Sequence, residues 1–304
     1  MTPEVYTATS TTLKWLLGTA WLLPLAGFVV EIFGGYWGGR KTKTAAWIAV
    51  GCIAISFVLS LSALLVWRGA TAEIREKQAT ALADHDAAHG HGHEEHGHGE
   101  HAHKEADHAH GAADHTHAHT NHVHTDHADF NPLRTTFTGE FYRLARFGSV
   151  LVSMDYYIDG LTVLMFTMVT LIATCIHVFA TGYMAEELTE NYEDHQVHLS
   201  GGRHFHRPGR FYRFFAFLSL FCFAMLGLVL AGNVFQVFIF WELVGVCSFF
   251  LIGFYVERKS ASTAANKAFI MNRVGDFGFL IGLMVVLTYF GTFQFANTSP
   301  DEIG

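Results

Sequence analysis

The chain has 304 residues, of which 51% are apolar, 14% aromatic and only 15% charged. This composition excludes a disordered protein and a nucleic-acid-binding protein. Charge is unevenly distributed, because residues 84–129 hold 16 of the 21 histidines, ten carboxylates and one lysine, a net charge of −9, whereas the rest of the chain sums to +1. The pattern indicates a membrane protein interrupted by one aqueous, histidine-rich insert.

Six long apolar segments are candidates for membrane-spanning helices, since a span needs about 20 mostly apolar residues. The bilayer offers no water to backbone groups, so such segments must be helical. We predict an all-α, polytopic membrane helical bundle, with helices 1 and 2 in residues 1–67, a polar connection in 68–150 and helices 3 to 6 in 151–304. The six predicted spans are residues 13–33, 45–67, 158–183, 214–231, 234–255 and 274–290.

Lys and Arg mark every second loop and so predict the orientation. The positive-inside rule places these loops in the cytoplasm. The N-terminus and the histidine-rich insert are then expected on the outer, periplasmic side of the inner cell membrane. The basic residues are Arg40, Lys41 and Lys43 in the first loop, Arg203, Arg207, Arg210 and Arg213 in the third, and Arg258, Lys259, Lys267 and Arg273 in the fifth.

The insert at residues 84–129 is low in complexity and lacks large apolar side chains, so we expect it to be disordered. It is either a solvated loop tolerated at the surface or a weak, labile binder of Zn, Ni or Cu ions through paired imidazoles. Without cysteines or fixed spacing it does not resemble a preorganised structural zinc site. The candidate weak metal ligands are His91, His93, His96, His98, His101 and His103.

Glu242 is the clearest candidate for a functional residue within a span. A charged side chain at the centre of a membrane helix costs about 3 kcal/mol on insertion scales, so its presence calls for a reason. Glu242 stands eight residues into the fifth predicted span, roughly 12 Å deep by helical rise. It is interpreted either as a proton or cation relay or as a carboxyl group that is hydrogen-bonded in a helix interface.

A second group of charges is predicted at the cytoplasmic start of the sixth span. Arg273 and Asp276 are three residues apart, so they share one helix face and can pair. Lys267 precedes them by about two turns and can extend toward the lipid headgroups. The alternative is that these residues are ordinary topology signals and that the Arg273–Asp276 pair only braces the helix.

Three further polar residues in or near the spans are weaker candidates. His177 in the third span either forms a hydrogen bond between helices or acts as a proton carrier. Glu31 and Asp159 lie near span ends, where the free-energy cost of a polar group is small. We assign neither a strong role. The spans show no haem or iron–sulfur ligand set and no GxGxxG after a strand, so we expect no redox centre in this chain.

The amino-acid sequence of spans three to six resembles that of the L subunit family of NADH-quinone oxidoreductase, the antiporter-like subunits of respiratory complex I. The resemblance is carried by FYRFFAFLSLFCFAMLGLVLAGN, FWELVGVCSFFLIGFY and NKAFIMNRVGDFGFLIG, with IHVFATGYM in the third span. It covers all six spans, is strongest over residues 157–282 and excludes the insert. Departures are Phe240 where Gly is usual, Gly232 where Asp is usual, and Phe179-Ala180 where Tyr-Ser is usual.

The resemblance implies a proton-translocating subunit with two inverted repeats, each with a lysine on a broken helix. The chain stops after helix six, so we expect it to be the amino-terminal portion of a larger antiporter-like fold. In the family, the glutamate matching Glu242 modulates the pKa of the lysine of its repeat, and residues matching Arg273 and Asp276 support proton uptake.

The same resemblance implies which cofactors and partners belong to the chain. No cofactor is expected in this chain, whereas NAD, FMN, iron–sulfur clusters and quinone are expected elsewhere in the complex. The implied partners are other complex I membrane subunits and the lipid bilayer, without nucleic acid. One alternative is a subunit of a multisubunit cation/proton antiporter. A second is a metal-ion transporter using the histidine loop, which the lack of an HxxxD pair within the spans disfavours.

Overall fold

The computed structural model of the protein describes residues 3–37, 43–89, 135–148, 150–189, 191–198 and 203–295. Six helices in these ranges are long and apolar enough to cross a membrane. The prediction of an all-α, polytopic membrane bundle with six spans is confirmed. The helices are α1 (Pro3–Trp37), α2 (Thr44–His89), α3 (Gly160–Tyr183), α4 (Phe211–Leu230), α5 (Val234–Ile252) and α6 (Lys259–Phe290).

The first four helices form the core of the bundle. Helix α1 packs on α2 and α4, and α2 packs on α3. Leu17 of α1, Phe166 of α3 and Leu226 of α4 are fully buried in the main apolar cluster. Helix α5 is added beside α4, and α6 is added beside α5. The α5–α6 pair therefore lies at one edge of the bundle.

An antiparallel hairpin of β1 (Phe137–Phe147) and β2 (Val150–Ile158) precedes α3. Gly148 in its turn has a φ of +62°, a left-handed conformation that glycine adopts without steric cost. Lys14 Nζ donates to the backbone oxygen of Glu140 over 2.7 Å, which ties the hairpin to α1. This segment falls mainly in the connection predicted as a polar loop, because a search for membrane-length apolar runs does not detect short strands.

A second antiparallel hairpin lies at the opposite end of the bundle, between α3 and α4. It consists of β3 (Tyr192–His198) and β4 (His204–Arg207), and it follows a 3-10 helix over Ala185–Leu188. Because successive spans alternate in direction, this is the end where α3 and α5 finish and where α4 and α6 begin. It is the end for which the sequence predicts a cytoplasmic position.

Two helices are longer than their predicted spans. Helix α2 continues 22 residues beyond position 67, and α6 begins 15 residues before position 274. Both added segments are rich in Ala and contain Lys and Arg; these residues favour helix, and the charged ones lower the hydropathy that defines a span. As a correction to the predicted disorder, residues 84–89 of the insert are helical; residues 90–129 lie outside the described ranges.

Candidate functional site

A cluster of three charged residues lies between α5 and α6. Arg273 Nη1 donates to Oε2 of Glu242 over 2.8 Å and lies 3.7 Å from Oδ2 of Asp276. One guanidinium group therefore faces two carboxylates, one from each helix. We call Glu242, Arg273 and Asp276 the α5–α6 charge cluster.

The two helices hold these side chains in register. Asn233 caps α5, because its Oδ1 accepts a hydrogen bond from the backbone of Gln236 over 2.7 Å. On α6, Arg273 and Asp276 share a face through their spacing of three residues. The Arg273 guanidinium also lies 4.9 Å from the centre of the Phe269 ring, a cation–π contact one turn earlier on α6. The guanidinium is thus fixed both by charge and by stacking.

Trp241 adds a neutral donor to the cluster. Its indole Nε1 donates to Oδ1 of Asp276 over 3.0 Å, and Asp276 is only 4% exposed. Trp241 precedes Glu242 in α5, so adjacent residues of one helix bind Arg273 and Asp276 of the other. The sequence analysis does not predict the contact between Trp241 and Asp276. The signal that could have indicated it is the Trp-Glu pair inside an apolar span.

A cavity of about 200 Å³ opens beside the cluster. Gly245, Ser248 and Asn272 line it together with all three charged residues. This space can hold several water molecules, which need at least two polar partners each. With all three groups ionised the cluster carries one net negative charge, so it is suited to receive a proton or to face a further cation.

The sequence places Lys267, Arg273 and Asp276 at the start of the sixth predicted span, but the helix that contains this span begins earlier. Helix α6 begins at Lys259, so these residues follow its first residue by 8, 14 and 17 positions. The predicted Arg273–Asp276 pair is present at 3.7 Å. Lys267 is exposed on α6 and does not line the cavity beside the cluster.

His177 is buried in α3, at 1% exposure. Its Nδ1 lies 2.7 Å from the backbone oxygen of Ala173, one turn earlier in the same helix, and its ring packs near Phe215 of α4. Among the described residues its Nε2 has no hydrogen-bond partner. The recorded hydrogen bond is therefore within one helix rather than between helices.

Glu31 is buried, which its position near a span end does not predict. It is 2% exposed, and its Oε1 accepts from Ser219 Oγ of α4 over 3.3 Å. In the described part of the chain its Oε2 has no hydrogen-bond partner. The position of a residue along its helix therefore does not predict whether its side chain is buried against another helix.

Gly232, one of the departures from the family pattern, lies against β2. A Cβ at this position would stand 2.6 Å from the Cβ of Asp155. Asp155 instead places its own carboxylate beside the next residue, because Asn233 Nδ2 donates to Asp155 Oδ2 over 2.7 Å. A carboxylate from β2 thus accompanies Asn233 where the family pattern has an adjacent aspartate.

At the β3–β4 end of the bundle, three of the basic residues that predict topology are paired with carboxylates. Arg207 donates from both terminal nitrogens to Glu187, over 2.7 and 2.6 Å, and both side chains are almost fully buried. Burial alone would lower the pKa of Arg207, but hydrogen bonding and the Glu187 charge raise it above its ordinary value. Arg210 pairs with Glu257.

A third pair joins β3 to the loop before α6. Arg258 Nε donates to Oδ2 of the buried Asp194 over 2.9 Å. Burial alone would raise the pKa of Asp194, but hydrogen bonds from Arg258 and from the backbone of Gln196, with the Arg258 charge, lower it below its ordinary value. These pairs fasten the hairpin to the helix ends.

The six candidate metal ligands of the insert lie outside the described residues. They are His91, His93, His96, His98, His101 and His103.

The fold and the cluster define a class: a polytopic helical membrane protein with an ion-paired acid–base cluster between two of its spans. Residues 144–192 match the family described as NADH-ubiquinone oxidoreductase (complex I), chain 5 N-terminus. Residues 231–301, which contain the whole cluster, match the family described as NADH:quinone oxidoreductase/Mrp antiporter, TM.

Curated relatives agree with these matches. The chain is 44% identical over 150 residues to NAD(P)H-quinone oxidoreductase chain 5 of Synechocystis sp., covering 49% of this chain and 19% of that protein. It is 38% identical over 161 residues to NADH-quinone oxidoreductase subunit L of Neisseria meningitidis, covering 53% and 21%. It is 44% identical over 139 residues to subunit L of Rhodobacter capsulatus, covering 46% and 18%.

The resemblance to the L subunit family of NADH-quinone oxidoreductase is therefore confirmed. The matched part of the chain spans only about a fifth of the length of these relatives.

Proposed function

We propose that this chain supplies the amino-terminal helices of a proton-translocating membrane subunit of an NADH-quinone oxidoreductase. In this role it couples quinone reduction in other subunits to proton transfer across the bilayer. The observation that carries the proposal is the α5–α6 charge cluster, in which Arg273 lies between Glu242 and Asp276 beside a cavity. Ionisable groups kept at such a depth mark ion pathways in membrane proteins.

The cluster can couple a proton to the position of a side chain. Arg273 is closer to Glu242, at 2.8 Å, than to Asp276, at 3.7 Å. A proton added to Glu242 removes the charge that holds the guanidinium there, so Arg273 shifts toward Asp276. Water in the cavity delivers and removes that proton. The protonation state of Glu242 and the position of Arg273 then change together.

Lys267 and His177 are assigned supporting roles. Lys267 is a cation on the same helix as Arg273, exposed on the half of α6 that begins at the β3–β4 end. It supports proton uptake toward the cluster. His177 is a proton carrier in the core of the bundle, supported by its burial in α3.

The proposed role also implies a location, an orientation and a set of partners for the subunit. The subunit is a multi-pass protein of the inner cell membrane, with its N-terminus and histidine-rich insert on the periplasmic side. Residues 151–304 form the translocation region. Other membrane subunits of complex I and the lipid bilayer are its partners, and NAD, FMN, iron–sulfur clusters and quinone bind elsewhere in the complex. The insert binds divalent metal weakly.

A subunit of a multisubunit cation/proton antiporter is the second candidate. The family description matched by residues 231–301 names both kinds of protein. The curated names of the relatives favour the oxidoreductase. The two candidates differ in what drives the proton: NADH oxidation in the first and a cation gradient in the second.

The test uses inverted membrane vesicles from cells in which the complete gene is deleted and then restored. Restoration with the natural sequence should return NADH-driven acidification of the vesicle interior, and Glu242→Gln should not. Glu186→Gln serves as the matched control, because Glu186 is an exposed carboxylate outside the spans. Acidification that needs a sodium gradient and ignores NADH would replace this proposal by the antiporter.

A further inference from the structure

The β3–β4 hairpin brings the exposed Glu193 and His195 and the half-buried His204 together on one face. Glu193, His195 and His204 each offer one ligand atom, and these atoms all lie within 4.8 Å of one another. Glu193 and His195 are two residues apart on β3, so they point to the same face. His204 joins them from β4, and its ring centre lies 5.0 Å from that of His195.

We propose that Glu193, His195 and His204 form a binding site for a divalent transition-metal ion of the zinc class. Two imidazoles and one carboxylate are a ligand set that zinc uses in proteins, with a fourth position open to water. Zn–N and Zn–O bonds of about 2.1 Å allow two ligands of one ion to be at most about 4.2 Å apart. The ligand atoms of the three residues, which lie within 4.8 Å of one another, must therefore move closer together when the ion binds.

The opposite face of the hairpin explains why the ligands are held in place. Asp194, between the two β3 ligands, is buried and bound to Arg258 over 2.9 Å. Tyr192 stacks under the guanidinium of Arg207, 4.8 Å from it. The alternation of the strand thus gives anchors on one face and metal ligands on the other. Binding would not require the hairpin to leave the helix ends.

This site is separate from the α5–α6 charge cluster and from the histidine-rich insert. It lies at the end of the bundle opposite the β1–β2 hairpin, to which the insert leads. It has three ligands of defined spacing, whereas the insert has many histidines without fixed spacing. The inference therefore does not depend on proton translocation, and the insert and the hairpin can be distinguished residue by residue.

The experiment maps histidine reactivity in the complete protein. The purified subunit is treated with diethyl pyrocarbonate, which modifies neutral imidazole, with and without free Zn²⁺ held constant by a zinc buffer. Peptide mass spectrometry then gives a rate for each histidine. At about ten times the Kd, only about one molecule in eleven is unliganded, so the rates at His195 and His204 should fall about tenfold. His206, an exposed histidine that lies opposite Glu193 on β4 but is not one of the three ligands, should keep its rate.

Two variants complete the test. Glu193→Gln removes the carboxylate and should abolish zinc protection at His195 and His204, while His206→Gln should leave protection unchanged. The proposal is overturned if zinc leaves His195 and His204 at their zinc-free rates. It is equally overturned if zinc slows His206 as much as them, or if Glu193→Gln leaves protection intact.

Discussion

Arg273 of α6 donates to Glu242 of α5 over 2.8 Å, across 31 positions of sequence. The same nitrogen lies 3.7 Å from Asp276. Glu242, which the sequence singles out by its depth, and Arg273, which it places at the start of the sixth span, are therefore partners. Their contact makes the two helices one unit, in which the charge of either residue sets the state of the other.

Because the two residues act together, their substitutions should not add. Arg273→Gln and Glu242→Gln should each depress NADH-driven proton pumping, and the double variant should be little worse than either one. Pumping is measured with the reconstituted complex, with subunit content checked in each sample. The control pair is Arg143 and Glu140, an exposed ion pair on β1, whose substitution should leave pumping unchanged. Strictly additive losses at Arg273 and Glu242 would show that the two residues act independently.

The buried pair of Glu187 and Arg207 should matter for stability rather than transport. Glu187→Gln leaves the Arg207 guanidinium buried with only the more distant carboxylate of Glu257, 3.9 Å away, and breaking a buried pair costs about 3–5 kcal/mol. Thermal unfolding of the purified subunit should therefore begin at a clearly lower temperature. Glu140→Gln, which breaks an exposed pair, should cost at most about 1 kcal/mol. Equal midpoints for the two variants would contradict the assigned burial.

Asp194 should make stability depend on acid pH. Its pKa is lowered in the folded protein, so its contribution is present above the ordinary carboxyl pKa and is lost as the pH falls through the folded value. The difference in unfolding temperature between the natural protein and Asp194→Asn should thus be largest near neutral pH and shrink below about pH 4. Unfolding scans over a pH series measure this. A difference that grows on acidification would have the wrong sign.

The orientation of the chain is testable at the insert. A cysteine introduced by Gly97→Cys should react with an impermeant maleimide in spheroplasts, because the alternation of basic loops places the insert outside. The unsubstituted protein is the control, since its own cysteines lie within the spans. Labelling that appears only after permeabilisation would reverse the orientation.

The sequence predicts the number of spans and singles out Glu242 as a candidate, because hydropathy and the cost of a buried charge are local properties. It does not predict that Glu242 meets Arg273, since that contact depends on how α5 packs on α6. The same limit applies to Glu31, whose burial depends on α4. The start of α6 is missed for another reason: its first 15 residues are helical but not apolar.

Predicting spans from hydropathy also does not reveal the β3–β4 hairpin or the position of the Asp155 carboxylate beside Asn233. Strands β3 and β4 lie in segments that hydropathy scores only as polar. Their pairing, from His204 opposite His198 to Arg207 opposite Tyr192, joins residues that sequence spacing alone does not relate.

The central claim is that Glu242 carries a proton that is moved by quinone reduction. Its most direct test is the number of protons moved per electron by the complete complex, reconstituted in liposomes, with Glu242→Gln compared with Glu186→Gln. The glutamine keeps the shape of the side chain but cannot ionise, so the ratio should fall while NADH oxidation with an artificial acceptor stays unchanged. Glu186→Gln should keep the natural ratio. An unchanged ratio in Glu242→Gln, with the variant subunit shown to be present in the complex, would contradict the account.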